Sequence, residues 1–167
     1  MTNHSIGIIG GADGPTAIFV ATSPGWINFF GLIIVVFMLI PNIIYAIKHR
    51  GEKNRCTSKA MNILEQMCRY GCILLMVFNI GLKEFGFSSV PGLLVYLFGN
   101  GLLLLSYWVC WAVYFKKPRG SVAMAMAVIP TGIFLLSGIC LRHWLLVTAS
   151  MLFGTAHIYV TNANNKS

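Results

Sequence analysis

The stretch KHRGEKNRCTSK, residues 48–59, separates two long apolar runs and carries five of the twelve Lys and Arg residues of the chain. Positive charge next to a membrane segment holds the adjoining loop on the cytosolic side. We therefore expect the loop at residues 48–61 to be cytosolic. The apolar runs on either side of it are expected to be membrane helices.

Composition supports a lipid environment for most of the chain. Of its 167 residues, 57% are hydrophobic and 10% are charged, which lies outside the range of ordinary soluble domains. The net charge of +8 comes from residues gathered in loops between apolar runs. This distribution is typical of membrane topology with some attraction to anionic lipid headgroups, and it argues against nucleic-acid binding.

Five apolar runs are long enough to cross a bilayer as helices. They cover about residues 25–47, 62–82, 92–115, 121–141 and 144–160. With five crossings, nine basic residues fall on the side of the first loop and of a second loop at residues 116–120, and two fall on the other side. We therefore predict an all-α polytopic helix bundle in the plasma membrane over residues 25–161, with both basic loops cytosolic and a polar tail at residues 162–167.

Three features inside these spans predict local packing. Pro41 removes a backbone donor, and Asn42 can bond to a freed carbonyl. Thr131 follows a second proline and can cover a carbonyl in the same way. Ser150 and Gly154 have the spacing of small residues at close helix crossings.

The N-terminal segment, residues 1–24, is neither a clean signal peptide nor a clean span. Its apolar part, Ser5 to Ala21, has no Lys or Arg ahead of it and is interrupted by GGADGP. We expect two short apolar arms around a turn. The segment then forms a re-entrant hairpin, a sixth span or an arm in the outer interface.

The second span carries Glu65 and Arg69 at positions i and i+4, which lets a carboxylate meet a guanidinium on one helix face. One interpretation of this polar pair is a salt bridge at the membrane interface. The other is a pair that faces the bundle beside a polar cavity.

Asp13 is the single Asp of the chain and has glycines on both sides. A carboxylate at membrane depth is costly unless it is paired, protonated or bound to a cation. Gly11 and Gly14 let the backbone turn its carbonyls toward an ion, and Thr16 adds a hydroxyl, so these residues are candidates for Na⁺ binding. The alternative is that Asp13 caps a short helix that begins at Pro15.

The run IGIIGGADGPTAIFV, residues 6–20, resembles the motif of the β subunit of sodium-translocating decarboxylases, the oxaloacetate and methylmalonyl-CoA group. That family's membrane subunit decarboxylates a carboxybiotin delivered by soluble partners and moves Na⁺. The resemblance implies cation binding at Asp13, with Gly11, Gly14 and Thr16 as its neighbours. The rest of the chain resembles small bacterial multi-pass membrane proteins, and no second half-site of the decarboxylase family is found in it.

No catalytic set is visible in the sequence. The four histidines lie on loops or near span ends, without a carboxylate or nucleophile at catalytic spacing, and the five cysteines fit small apolar residues better than a disulfide framework or a metal site. We expect a non-catalytic membrane protein, accessory or transport-related, with Na⁺ as its one candidate ligand. The alternative is a structural or assembly partner of another membrane complex or of a carboxyltransferase subunit, or a remnant related to the decarboxylase β subunit.

Overall fold

The computed structural model describes residues 5–9, 17–21, 26–49, 56–80, 87 and 90–165 of the 167-residue chain. Five helices make up the bundle: α1 (Phe29–Lys48), α2 (Lys59–Val77), α3 (Val90–Lys116), α4 (Gly120–Cys140) and α5 (Trp144–Asn165). The predicted helical bundle is therefore confirmed. Four of the helices, all except α2, are long and apolar enough to cross a membrane.

The N-terminal arms are strands. β1 (Ser5–Ile9) pairs antiparallel with β2 (Ala17–Ala21), with Ser5 opposite Ala21 and Ile9 opposite Ala17. Both arms are rich in β-branched residues and too short for a stable helix, which favours strand pairing. This geometry adds a short β-hairpin to the helical bundle, and it confirms neither a sixth crossing helix nor a re-entrant membrane segment.

The helices form a closed ring in the order α1, α3, α4, α5, α2. α4 packs extensively against α3 and α5, α5 packs equally well against α2, and α1 makes smaller contacts with α2 and α3. Buried apolar side chains of all five helices fill the ring. Its largest fully buried members include Tyr96, Phe134, Phe153 and Met76.

The connections between successive helices lie alternately at the two ends of the bundle. At one end, which we call the basic end, Lys48 Nζ lies 5.4 Å from the centre of the Phe115 ring, and Asn165 Nδ2 donates to the carbonyl of Gly120 at 3.2 Å. These contacts bring together the C-terminal ends of α1, α3 and α5 and the start of α4. Both basic loops therefore adjoin the same end, as the charge count requires.

At the opposite end, the chain before α1 pairs with the chain after α2. The backbone N–H of Asn28 donates to Val77 at 2.8 Å, and that of Asn79 donates to Trp26 at 3.1 Å. Asn28 also caps α1, because its side chain accepts from the N–H of Gly31 at 3.1 Å. A β-carbon at Gly31 would overlap the carbonyl oxygen of Met76, so the two helix ends meet at backbone contact.

Hydrogen bonds around Pro41 satisfy the backbone of α1 near the proline. Pro41 leaves the carbonyl of Phe37 without its helical donor, and Trp108 Nε1 donates to that oxygen at 3.1 Å. Asn42 Nδ2 donates to the carbonyl of Met38 at 2.8 Å, and not to the freed carbonyl of Phe37 as predicted. The carbonyl that Pro41 leaves free is thus bonded by α3, and the Asn42 amide is bonded within α1.

The end of α5 lies beyond its predicted apolar limit. The sequence assigned residues 162–167 to a polar tail, whereas α5 continues through Asn165. The contact of Asn165 with Gly120 explains the extension, since it anchors the last turn of α5 to the start of α4.

Gly154 is the point of closest approach between α4 and α5. A β-carbon there would overlap Cγ2 of Thr131, whose hydroxyl donates to the carbonyl of Ala127 at 3.2 Å. Ser150, one turn earlier on the same face, is fully buried. The predicted small-residue packing is therefore a contact between two helices of this chain.

We predict that Gly154→Ala destabilises the bundle by about 1–3 kcal/mol, because the β-branched Thr131 has no room to move away. Thr131→Ser in the same protein removes Cγ2 and should restore most of the loss. Gly71→Ala is the matched control, since a β-carbon at Gly71 meets nothing within 4 Å. That control should be more stable by about 0.5–1 kcal/mol. Unfolding in detergent measures all four proteins, and equal effects at the two glycines would contradict the close crossing.

The turn between α4 and α5 places a buried histidine against the end of α2. The N–H groups of Arg142 and His143 bond back to the carbonyls of Ile139 and Gly138 at 3.1 and 2.8 Å, and Arg142 has a φ of 56°. This left-handed turn ends α4 with satisfied carbonyls. His143 is 4% exposed, and its Nε2 lies 3.0 Å from the carbonyl oxygen of Ile80.

Burial lowers the pKa of His143 below its ordinary value of 6.5, although hydrogen bonds to the carbonyls of Ile80 and Leu75 act in the opposite direction. The unfolded chain therefore takes up the proton more readily than the folded chain. We predict that this contribution to stability is complete above the ordinary pKa and is lost as the pH falls below it. Unfolding of wild type and His143→Gln in detergent between about pH 5 and pH 8 checks this, because imidazole titrates in that window. Identical pH dependence of the two proteins would contradict it.

Candidate functional site: a buried carboxylate between α2 and α5

Glu65 is a buried carboxylate on the inner face of α2. Its exposed fraction is 3%, and it shares this face with Cys72 and Met76, both fully buried. Spacings of seven and four residues place these three side chains on one stripe of the helix. Glu65 therefore occupies a core position that an apolar residue would normally fill.

One oxygen of the Glu65 carboxylate makes both of its polar contacts. Glu65 Oε1 accepts from Arg69 Nη2 one turn along α2, and the same oxygen lies 3.0 Å from His157 Nδ1 on α5. The Glu65 side chain is 4% exposed, whereas those of His157 and Arg69 are 19% and 36% exposed. The cluster thus extends from the core toward the surface of the bundle.

The ring of His157 is fixed by stacking. It lies parallel to the ring of Phe153, with centres 4.9 Å apart and planes 17° from parallel. Phe153 is itself buried and meets the edge of Phe134 of α4 at 5.8 Å. The imidazole is therefore positioned for Glu65 by aromatic packing that joins α4 and α5.

A second polar contact lies in the same half of the bundle. Asn42 Nδ2, on α1, donates to the hydroxyl oxygen of Tyr107, on α3, at 2.8 Å. Arg69 lies close enough to Tyr107 for its charge to act on the phenol. Polar groups of α1, α2, α3 and α5 therefore approach one another on the side of the basic end.

A third set of polar groups lies in the other half of the bundle and carries no charge. Asn100 Nδ2 donates to the carbonyl of Tyr96 at 2.9 Å, and Ser137 Oγ donates to Asn100 Oδ1 at 3.3 Å. The hydroxyl of Tyr96 and Nδ2 of Asn28 are buried without a hydrogen-bond partner among the described residues. This set links α3 to α4 and offers no group that changes charge near neutral pH.

The chemistry available to the Glu65 cluster is proton exchange. The cluster brings a carboxylate into contact with an imidazole, and both are groups that can accept and donate protons. The Arg69 guanidinium already balances the carboxylate, which disfavours a second cation such as Na⁺ at this position. Within the described ranges, no group of three His, Cys, Asp or Glu residues is arranged to hold a metal ion.

The residues predicted as sites from the sequence have different outcomes. Asp13, Gly11, Gly14 and Thr16 lie outside the described residues. Glu65 and Arg69 do meet, as their spacing predicts, and the carboxylate is buried inside the bundle.

The sequence analysis missed His157 as a partner of Glu65, since the two are 92 positions apart. One signal was available. Glu65 lies six residues after the start of α2 and His157 eight before the end of α5, and both of those helix ends adjoin the basic end. At about 1.5 Å per residue, the two side chains have similar depths.

Comparison of this chain with protein-family models, with curated proteins and with solved structures found no match.

Proposed function

We propose that this chain is a non-catalytic, multi-pass membrane protein of the transport class, in which the Glu65 cluster binds and releases a proton. In this proposal α2 is a fifth crossing. Its 19 residues span about 28 Å as a helix, close to the thickness of the hydrocarbon core. α2 also lies in the ring between α1 and α5, and its C-terminal end is bonded to the chain before α1 and lies against the turn before α5.

The observation that carries this proposal is the burial of Glu65 together with its contact to His157. An ionisable group inside a membrane bundle is costly, and such groups recur in the proton pathways of pumps and transporters. A single oxygen shared by Arg69 and His157 lets a proton move between carboxylate and imidazole without leaving the cluster. Arg69, one-third exposed, extends the cluster toward the surface.

We predict that the reconstituted protein conducts protons and that Glu65→Gln abolishes the conduction. Vesicles that contain a pH-sensitive dye, driven by a potassium gradient and valinomycin, report the flux. The amide keeps the shape of the side chain but cannot take up a proton at neutral pH, so flux should fall to the level of empty vesicles. Glu84→Gln, which removes a carboxylate from the sequence between α2 and α3, should leave the flux unchanged.

Two outcomes contradict this prediction. If the proton flux of the wild type is no higher than that of empty vesicles, the protein does not conduct protons. If the flux is unchanged in Glu65→Gln, the protons use a path that does not include Glu65. Unfolding in detergent shows whether the variant is folded, since loss of the charged hydrogen bonds should cost about 1–3 kcal/mol.

Sodium binding at Asp13 is a separate proposal, which rests on the GGADGPT motif and its resemblance to the decarboxylase β subunit. We predict that Na⁺ raises the unfolding temperature of the wild type in detergent and that a large organic cation at the same concentration does not. At 100 times its Kd, Na⁺ would add about 2.7 kcal/mol. The increase should be absent in Asp13→Asn and retained in Glu84→Gln. Equal effects of the two cations on the wild type would remove the site.

Assembly with another membrane complex or with a carboxyltransferase subunit is the alternative proposal. Its motivation from the sequence is the small-residue face at Ser150 and Gly154 together with the belts of aromatic residues at the ends of the spans. That face packs against α4 of the same chain. The buried cluster is therefore the observation that favours transport.

A further inference from the structure

The basic end of the bundle carries a pocket between the ends of α1 and α3. The pocket has a volume of about 160 Å³, far above the roughly 10–15 Å³ that one water molecule needs. It is lined by Tyr45, His49, Tyr114, Phe115 and Pro118. We call it the basic-end pocket.

The walls of the basic-end pocket are held by aromatic contacts. The ring of His49 stacks on Tyr45 with centres 4.2 Å apart, and its Nδ1 lies 3.3 Å from the Tyr45 carbonyl oxygen. Trp111 packs behind both walls, with ring centres 5.3 Å from Tyr45 and 5.2 Å from Phe115. The pocket is therefore a built feature of the helix ends.

Positive charge surrounds this pocket. Lys48 lies over the Phe115 ring at 5.4 Å, and Lys116, Lys117 and Arg119 follow the α3 wall as exposed side chains. Among the described residues the one acidic side chain is Glu65, which is buried and paired with Arg69. An anion at the pocket would thus lie near Lys48, which covers a lining residue, and near the three cations that flank Phe115 and Pro118 in the sequence.

The segments of α1 and α3 that carry the pocket residues also present exposed apolar side chains on their other faces. On α1 the side chains of Ile43, Ile44 and Ile47 are 40–60% exposed, and on α3 those of Val109 and Val113 are 63% and 42% exposed. In the membrane these surfaces contact acyl chains. A ligand with an anionic head and an apolar tail would match both parts of this region.

We propose that the basic-end pocket binds the phosphate headgroup of an anionic phospholipid, whose acyl chains lie along α1 and α3. Aromatic side chains at a membrane interface lie at headgroup level, and lysines there attract anionic lipids. A soluble phosphate shares the anionic chemistry but would not use the exposed isoleucines and valines. This inference requires the membrane location and is independent of proton conduction at Glu65.

Native mass spectrometry of the full chain in detergent tests the site with phosphatidylglycerol, phosphatidylcholine and inorganic phosphate as separate probes. We expect one retained phosphatidylglycerol and weaker binding of phosphatidylcholine. Lys48→Gln with Lys116→Gln should weaken phosphatidylglycerol binding about 25-fold, at about fivefold per lysine. Lys59→Gln is the matched control: this exposed lysine starts α2, whereas Lys48 lies over Phe115 of the pocket and Lys116 directly follows it, so the control should change binding little.

Three results would overturn the proposal. Equal retention of the two lipids removes the selectivity for negative charge. Inorganic phosphate that displaces the bound lipid at concentrations near its own binding range assigns the pocket to a soluble anion. If Lys59→Gln weakens phosphatidylglycerol binding as much as the double variant does, the lysines act only through the general surface charge. Circular dichroism shows that each variant keeps its helices, which is expected because all three lysines are exposed.

Discussion

A bundle with four helices long and apolar enough to cross a membrane has to satisfy its polar groups from within, and this constraint accounts for the polar contacts between the helices. Pro41 frees the carbonyl of Phe37, and the indole of Trp108 on α3 donates to it. In lipid an unsatisfied carbonyl costs several kcal/mol. The hydrogen bond from the tryptophan in α3 therefore offsets the bond that the proline removes from α1. The same requirement explains why Asn42 bonds both within its helix and to Tyr107.

The same constraint applies to the buried carboxylate of Glu65. A carboxylate that is 3% exposed in this setting needs donors on all sides, and Arg69 and His157 supply them from two helices. An apolar side chain would have packed α2 against α5 with less energetic cost. A charged cluster at a core position is therefore a feature that packing alone does not explain, and the proton exchange that we propose would account for it.

Much of the fold could be predicted from the sequence because membrane helices follow two strong rules, length and loop charge. The five helices and the shared end of both basic loops follow from these rules. The contact of His157 with Glu65 could not be predicted, because it depends on which helix packs next to α2 in the ring. The loops permit several orders of packing, and the order α1, α3, α4, α5, α2 is fixed by side-chain fit such as that of Gly154 against Thr131.

The strands at the N-terminus show the limit of hydropathy as a predictor. Two apolar arms of five residues could have been read as parts of a broken helix, yet pairing Ile6 with Val20 and Ile8 with Ile18 places β-branched residues opposite one another in a ladder. An antiparallel pair satisfies the backbone between its strands and leaves the outer edges to other partners. Among the described residues no third strand pairs with these two, so any position at membrane depth would require protein or water along the outer edges.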